Sequence, residues 1–169
     1  NLDTAFIVSS CNQDFNIARL ERYVAVAHDA EVAPVIILTK NDLSDDPQSY
    51  ATQASSISSC IPVICLDGRN NQARLQLAPW CTPGQTVAFL GSSGVGKSTL
   101  ANTLSGNNDL ETQDVRAADD RGRHTTTRRQ LYILKGGCAI VDTPGMRELQ
   151  LTDVSVGLKE TFADLHALT

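Results

Sequence analysis

A chain of 169 residues fits one domain, because single cores commonly serve about 100–200 residues. Its 41% hydrophobic and 20% charged content is ordinary for a globular protein, and no apolar run approaches the ~18 residues needed to span a bilayer, so no membrane anchor is expected. A net charge of −5 excludes a broad basic surface that holds nucleic acid by counterion release alone; an RNA partner would need a local patch such as Arg121, Arg123, Arg128 and Arg129.

Five short β-rich apolar runs, residues 4–9, 35–39, 62–66, 86–90 and 138–142, recur between segments of helical period, which is the rhythm of βαβ units. After the first run, Ile17, Leu20, Val24 and Ala27 share one helical face behind Asp14 and Asn16 as possible caps, and residues 47–60 read as a second, more polar helix. Residues 107–123 are rich in Asp, Asn and Arg and lack either period, which predicts a long mobile loop. Residues 131–134 predict a further strand, joined to 138–142 by a turn at Gly136-Gly137 as a hairpin at one sheet edge. A last helix is expected over about residues 156–168. The five cysteines (Cys11, Cys60, Cys65, Cys81, Cys138) are odd in number and scattered without a close pair, so neither a disulfide framework nor a zinc site is expected. A reducing, cytoplasmic setting fits them. The start at Asn1 with no charged-then-apolar leader, and Met146 as the only methionine, read as a cut from a longer protein.

Gly91-Ser92-Ser93-Gly94-Val95-Gly96-Lys97-Ser98-Thr99 matches G-x-x-x-x-G-K-[ST], and it lies between the run 86–90 and a helical segment. Glycines there let backbone N–H groups turn toward phosphates at a helix N-terminus, where the dipole favours negative charge. Lys97 should bridge the β and γ phosphates and the Ser98 hydroxyl should ligate Mg²⁺. The loop alone does not choose the base. Thr39-Lys40-Asn41-Asp42 does so: a carboxylate such as Asp42 accepts both the N1–H and the exocyclic amine of guanine, and the stem of Lys40 covers one face of the base. Without the phosphate loop, the same tetrapeptide would read as a strand ending in a solvated turn.

The motif order is Thr39 to Asp42, then Gly91 to Ser98, then Gly122-Arg123-His124-Thr125-Thr126-Thr127, then Asp142-Thr143-Pro144-Gly145. In order and wording the chain resembles the circularly permuted GTPases of small-ribosomal-subunit biogenesis, the RsgA or YjeQ type, over nearly its whole length. The resemblance implies an α/β P-loop NTPase fold in the permuted GTPase topology, a mostly parallel sheet with helices on both faces, with residues 1–169 as the GTPase domain alone. It implies GTP and GDP as ligands with Mg²⁺, a small-subunit partner with its rRNA, stimulation of hydrolysis by the ribosome, and flanking OB-fold and zinc-binding domains that this chain lacks. No zinc is therefore expected in this fragment, and a monomer is expected. Two positions depart from the family pattern. Thr39 stands where Asn is usual, which alters one supporting contact of the guanine motif, and Cys65-Leu66-Asp67 occupies the place of the Ser-Ala segment that backs the base. Cys65 and Leu66 are assigned to that role.

Asp142 ends a strand before Thr143-Pro144-Gly145, so it should hold Mg²⁺ through a water while the Gly145 amide meets the γ-phosphate. Met146 follows, where many GTPases carry the Gln that orients the attacking water. A thioether cannot do that job and suits a core plug instead. The resemblance implies that His124 positions or activates the water, and its ordinary pKa near neutrality suits either role. Thr126 is the preferred Mg²⁺ ligand of the first switch, with Thr125 the alternative. His28 and His166 read as ordinary surface or boundary residues of helices. Two rival functions remain: a permuted GTPase acting on the large subunit or another RNA, and a nucleotide-gated binding module with negligible turnover.

Overall fold

The computed structural model of the chain describes residues 2–106 and 130–142. Its elements, in chain order, are β1 (Thr4–Ser10), α1 (Ile17–Asp29), β2 (Ala33–Thr39), α2 (Pro47–Ser55), β3 (Val63–Cys65), α3 (Gln72–Leu77), β4 (Thr86–Leu90), α4 (Lys97–Ser105), β5 (Gln130–Ile133) and β6 (Ala139–Asp142). The expected loop over 107–123, the histidine-threonine segment and the final helix over 156–168 with His166 lie outside the described residues.

One six-stranded sheet has the order β3-β2-β1-β4-β6-β5. Five strands run parallel, and β5 joins the edge antiparallel to β6, as the glycine turn predicts; Gly137 takes the left-handed φ of 83° that the turn requires. Alternation along the central strands explains their continuous apolar character. Phe6, Val8, Val35, Ile37, Val87 and Phe89 pack on one face with Leu77 of α3 and Leu100 and Leu104 of α4. Ala5, Ile7, Ile36, Leu38 and Leu90 pack on the other with Leu20 and Val24 of α1 and Ala54 of α2. Helices therefore cover both faces of the sheet, and neither face of β1 meets water: all seven of its residues are buried.

The helix starts follow sequence chemistry. The Asn16 side chain accepts from the Arg19 amide at the head of α1, and Asp46 accepts from the Ser49 amide at the head of α2, one residue before Pro47. The end of α2 comes earlier than the polar pattern predicts, at Ser55 rather than Cys60. The Ser56 hydroxyl donates to the Gln53 carbonyl at 2.7 Å, an alternative to the helical ladder, and Pro62 biases the residues before it away from helix. Sequence period does not reveal α3, whose six residues are too few to display one. Of the cysteines, Cys11 and Cys65 pack in the core cluster under α1 and α2, and Cys81 and Cys138 in the cluster under α3 and α4, all as free thiols. His28 is exposed near the end of α1. No helix of the described residues is long and apolar enough to cross a membrane.

Candidate nucleotide site

Residues 91–96 link the buried strand β4 to α4, and their backbone conformation depends on glycine. At Gly91, φ is 144°, and a Cβ there would stand 2.2 Å from the Val8 carbonyl oxygen of neighbouring β1. Gly94 and Gly96 hold φ of 79° and 98°. No side chain caps α4, so the amides of its first turn remain available at the helix's positive end, beside the exposed Ser93, Gly94 and Ser98. Val95 instead turns inward and is buried, which anchors the loop to the core, while Thr99 stays exposed in the first turn of α4. The Lys97 ammonium folds back over the loop, donating to the Gly91 carbonyl at 2.7 Å and the Ser92 carbonyl at 2.5 Å. From α1, Arg19 Nη1 donates to Ser92 Oγ at 2.8 Å and braces the loop from its flank.

The second segment ends β2. Thr39 is buried, and its Oγ1 lies 3.1 Å from the Ser9 carbonyl and 2.5 Å from the Val95 carbonyl. A hydroxyl carries one proton and donates to one of these at a time, so it ties β2 to β1 and, across 56 positions of sequence, to the phosphate loop. Gly96 sits against the same side chain: a Cβ there would be 3.6 Å from Thr39 Oγ1. Lys40 takes the left-handed conformation, φ 57° and ψ 31°, which is costly for a side-chain-bearing residue. That turn swings the chain into a short 3₁₀ turn, Asn41–Leu43, which presents Asp42 at the surface.

Of the segment assigned to back the base, Cys65 ends β3 half-buried and the Leu66 side chain is buried in the core on the α3 and α4 face. Its amide donates to the Leu38 carbonyl at 2.9 Å and extends the β3 ladder by one residue. The residues that reach Asp42 come later. Arg69 Nη2 bonds Asp42 Oδ2 at 2.5 Å, while Arg69 Nε and Nη2 bond the two oxygens of Asp67 at 3.0 and 3.2 Å. These charge-assisted bonds hold the Asp67 carboxyl below its ordinary range. Thr103 Oγ1 of α4 donates to the Gly68 carbonyl at 2.6 Å and fixes the loop that carries both residues. Sequence reading missed Arg19 and Arg69 as members of this site: no spacing rule links them to partners 73 and 27 positions away.

Asp142 ends β6, the parallel neighbour of β4, so its backbone emerges beside the strand that feeds the phosphate loop. Thr39, Lys40 and Asp42 are thereby placed at the same, carboxyl edge of the sheet as residues 91–98 and Asp142. The other predicted site residues, His124, Thr126 with its alternative Thr125, Gly145 and Met146, lie outside the described residues.

The family model described as RsgA GTPase matches residues 1–152. The chain belongs to the RsgA GTPase family. Among its relatives, the small ribosomal subunit biogenesis GTPase RsgA 2 of Vibrio parahaemolyticus is 48% identical over 168 residues, covering 99% of this chain and 47% of the relative. The small ribosomal subunit biogenesis GTPase RsgA of Mesorhizobium japonicum is 51% identical over 171 residues, covering 99% and 49%. The chain thus spans about half the length of the curated relatives it matches. YjeQ from Thermotoga maritima superposes with a TM-score of 0.69 at 24% identity, over 90% of this chain and 51% of that one, and supports the fold alone. YloQ, described as a circularly permuted GTPase, gives 0.60 at 22% identity, over 90% and 48%. The permuted topology of the family is visible in the chain itself, where β2 and its T-K-x-D turn precede β4 and the phosphate loop.

Proposed function

We propose that residues 1–169 form one circularly permuted GTPase domain, the GTP-binding and GTP-hydrolysing part of a cytoplasmic factor that acts on the small ribosomal subunit and its rRNA as a monomer. The observation that supports this reading is the Thr39 hydroxyl on the Val95 carbonyl, because it ties the T-K-x-D turn to the phosphate loop at one edge of the sheet. In this reading Asp42 accepts the guanine N1–H and amine, the Lys40 stem covers the base, and residues 65–69 close its far side. Backbone amides of residues 91–99 cradle the phosphates, and Lys97 exchanges the Gly91 and Ser92 carbonyls for phosphate oxygens.

Mg²⁺ suits the hard oxygen donors assigned here, since this ion takes few protein ligands and shares its shell with substrate phosphates. The exposed Ser98 hydroxyl, Thr126 and, through water, Asp142 would hold it. Bound there, it would neutralise charge growing between the β and γ phosphates. His124 positions the attacking water, and the Gly145 amide meets the γ-phosphate.

Two measurements test the reading: competition binding of GTP, GDP and ATP, with Asp42→Asn expected to move preference toward xanthine nucleotides, and single-turnover hydrolysis with and without small subunits. Equal affinity for ATP and GTP would overturn the guanine assignment. Tight GTP binding without turnover, even with subunits present, would leave a nucleotide-gated binding module, and stimulation by large subunits alone would move the partner.

A further inference from the structure

Among the described residues, the Asp42 carboxylate bonds one side chain, that of Arg69, and the bonds around Arg69 are unequal. Asp67 holds it as a fork: Nε donates to one carboxylate oxygen at 3.0 Å and Nη2 to the other at 3.2 Å, while the Arg69 amide donates to the first at 3.0 Å. Asp42 takes a single bond, through Oδ2, from the second Nη2 proton. Arg69 is thus positioned by its own loop, and that loop is fixed to α4 through the Gly68 carbonyl. Asp42 keeps Oδ1 and a lone pair of Oδ2 for other donors.

The guanidinium carries five N–H donors, of which these bonds use three, and both protons left are on Nη1. The group is planar, and its end-on edge sets one Nη1 proton parallel to the Nη2 proton that meets Asp42. A charged donor therefore lies beside the carboxylate oxygen, in an orientation fixed by Asp67. The Arg69 side chain is 64% exposed, so a ligand can reach it. The segment assigned to back the base offers less. The Leu66 amide is spent on the Leu38 carbonyl at 2.9 Å, and the Leu66 side chain is buried in the core.

We propose that Arg69 is a base-reading residue of the nucleotide site, donating from Nη1 to the O6 acceptor of guanine while Asp42 accepts the N1–H and the amine. The inference rests on the guanine reading of Asp42 above. Along the edge that Asp42 meets, guanine presents an acceptor at O6, a donor at N1 and a donor at the amine, in that order. The Arg69–Asp42 pair presents the complement, and Arg69 completes it without leaving Asp67. Adenine carries an amine at position 6, so the Nη1 donor would face another donor and count against that base. Discrimination thereby extends to a position that a lone carboxylate does not touch. A counter-ion that blocks Asp42 until a base displaces it fits the geometry less well, since the fork to Asp67 holds Arg69 in place whether or not Asp42 is engaged.

The test is titration of the 169-residue chain and its variants with GDP and 6-thio-GDP, because sulfur at position 6 accepts hydrogen bonds weakly. The unsubstituted chain should favour GDP by about 10-fold, the low end for a bond from a charged donor at an exposed site. Arg69→Ala should weaken GDP binding to a similar degree and 6-thio-GDP binding far less, so that the two affinities converge. Arg69→Lys, which keeps a charged donor without the fork, should hold an intermediate preference. The ratio is taken within each variant, so loss of folded protein does not alter it. A preference for GDP over 6-thio-GDP that survives Arg69→Ala would hand O6 to a backbone amide of the loop and overturn the proposal. Tighter GDP binding by Arg69→Ala would overturn it too, as the mark of a counter-ion that only covers Asp42. An unsubstituted chain that binds ADP as tightly as GDP would instead end the guanine reading on which the proposal rests.

Discussion

Thr39 shows how one hydroxyl can tie together segments far apart in sequence. It is buried at the end of β2, and its contact with the Val95 carbonyl joins the T-K-x-D turn to the phosphate loop directly. Thr39→Val keeps the shape and removes the donor, leaving a buried carbonyl without its partner, so it should cost about 1–3 kcal/mol of stability and weaken GDP binding. Thr39→Asn, which restores a donor of longer reach, should preserve GDP affinity. Denaturant midpoints and GDP titrations of both variants check this; a Thr39→Val chain unchanged in both would mean that the bond holds nothing together. At this scale the placement of Thr39 at a strand end and of Lys97 at a helix start was legible from spacing. The partners of Asp42 and Ser92 were not, because Arg69 and Arg19 arrive through the fold from distant segments.

Among the elements, the loop from β4 to α4 is the most tightly specified by sequence. Its glycines are not equivalent, and the difference predicts unequal costs. A Cβ at Gly91 meets the β1 backbone at 2.2 Å, so Gly91→Ala must move a central strand or the loop; a Cβ at Gly94 meets nothing within 4 Å and bears only the strain of its φ of +79°. Gly94→Ala should therefore cost roughly 1–2 kcal/mol, the usual penalty of a left-handed L-residue, and Gly91→Ala distinctly more, above the ordinary range of ~0.5–3 kcal/mol for single substitutions. Chemical denaturation of the two variants decides it, and equal losses would show that β1 and the loop yield easily. Elements with a strong period or cap chemistry, such as α1 and the central strands, were readable. The end of α2 and the whole of α3 were not: a serine back-bond stops the first, and the second is a six-residue helix held by Ala73 and Leu77 in the core rather than by any period of its own.

For the molecule as a whole, permutation leaves the site intact because a binding cleft depends on which strand ends lie side by side, not on the order in which the chain visits them. The strands carrying Thr39 and Gly91 are both neighbours of β1, and β6 with Asp142 lies beyond β4. Hydrolysis at this scale is predicted to depend on His124 and on a partner that stimulates it. In the full-length protein His124→Ala should leave GTP affinity nearly unchanged and lower subunit-stimulated turnover by about 10²- to 10⁴-fold, the usual reach of a positioned acid or base, while Met146→Ala affects mainly packing. Stimulated turnover measured beside nucleotide affinity is the check; unchanged turnover in the His124 variant would assign the role to the ribosome or to another residue of the switch. The sequence by itself determined the α/β class, the central strands, the glycine-rich loop after β4 and the turn after β2, because glycine placement, strand-length apolar runs and short motifs act over a few residues. Only the tertiary structure decided that Thr39 bonds the phosphate loop and that Arg69 bridges Asp42 and Asp67, because those contacts depend on which strand ends the sheet sets side by side, and no local rule encodes that order.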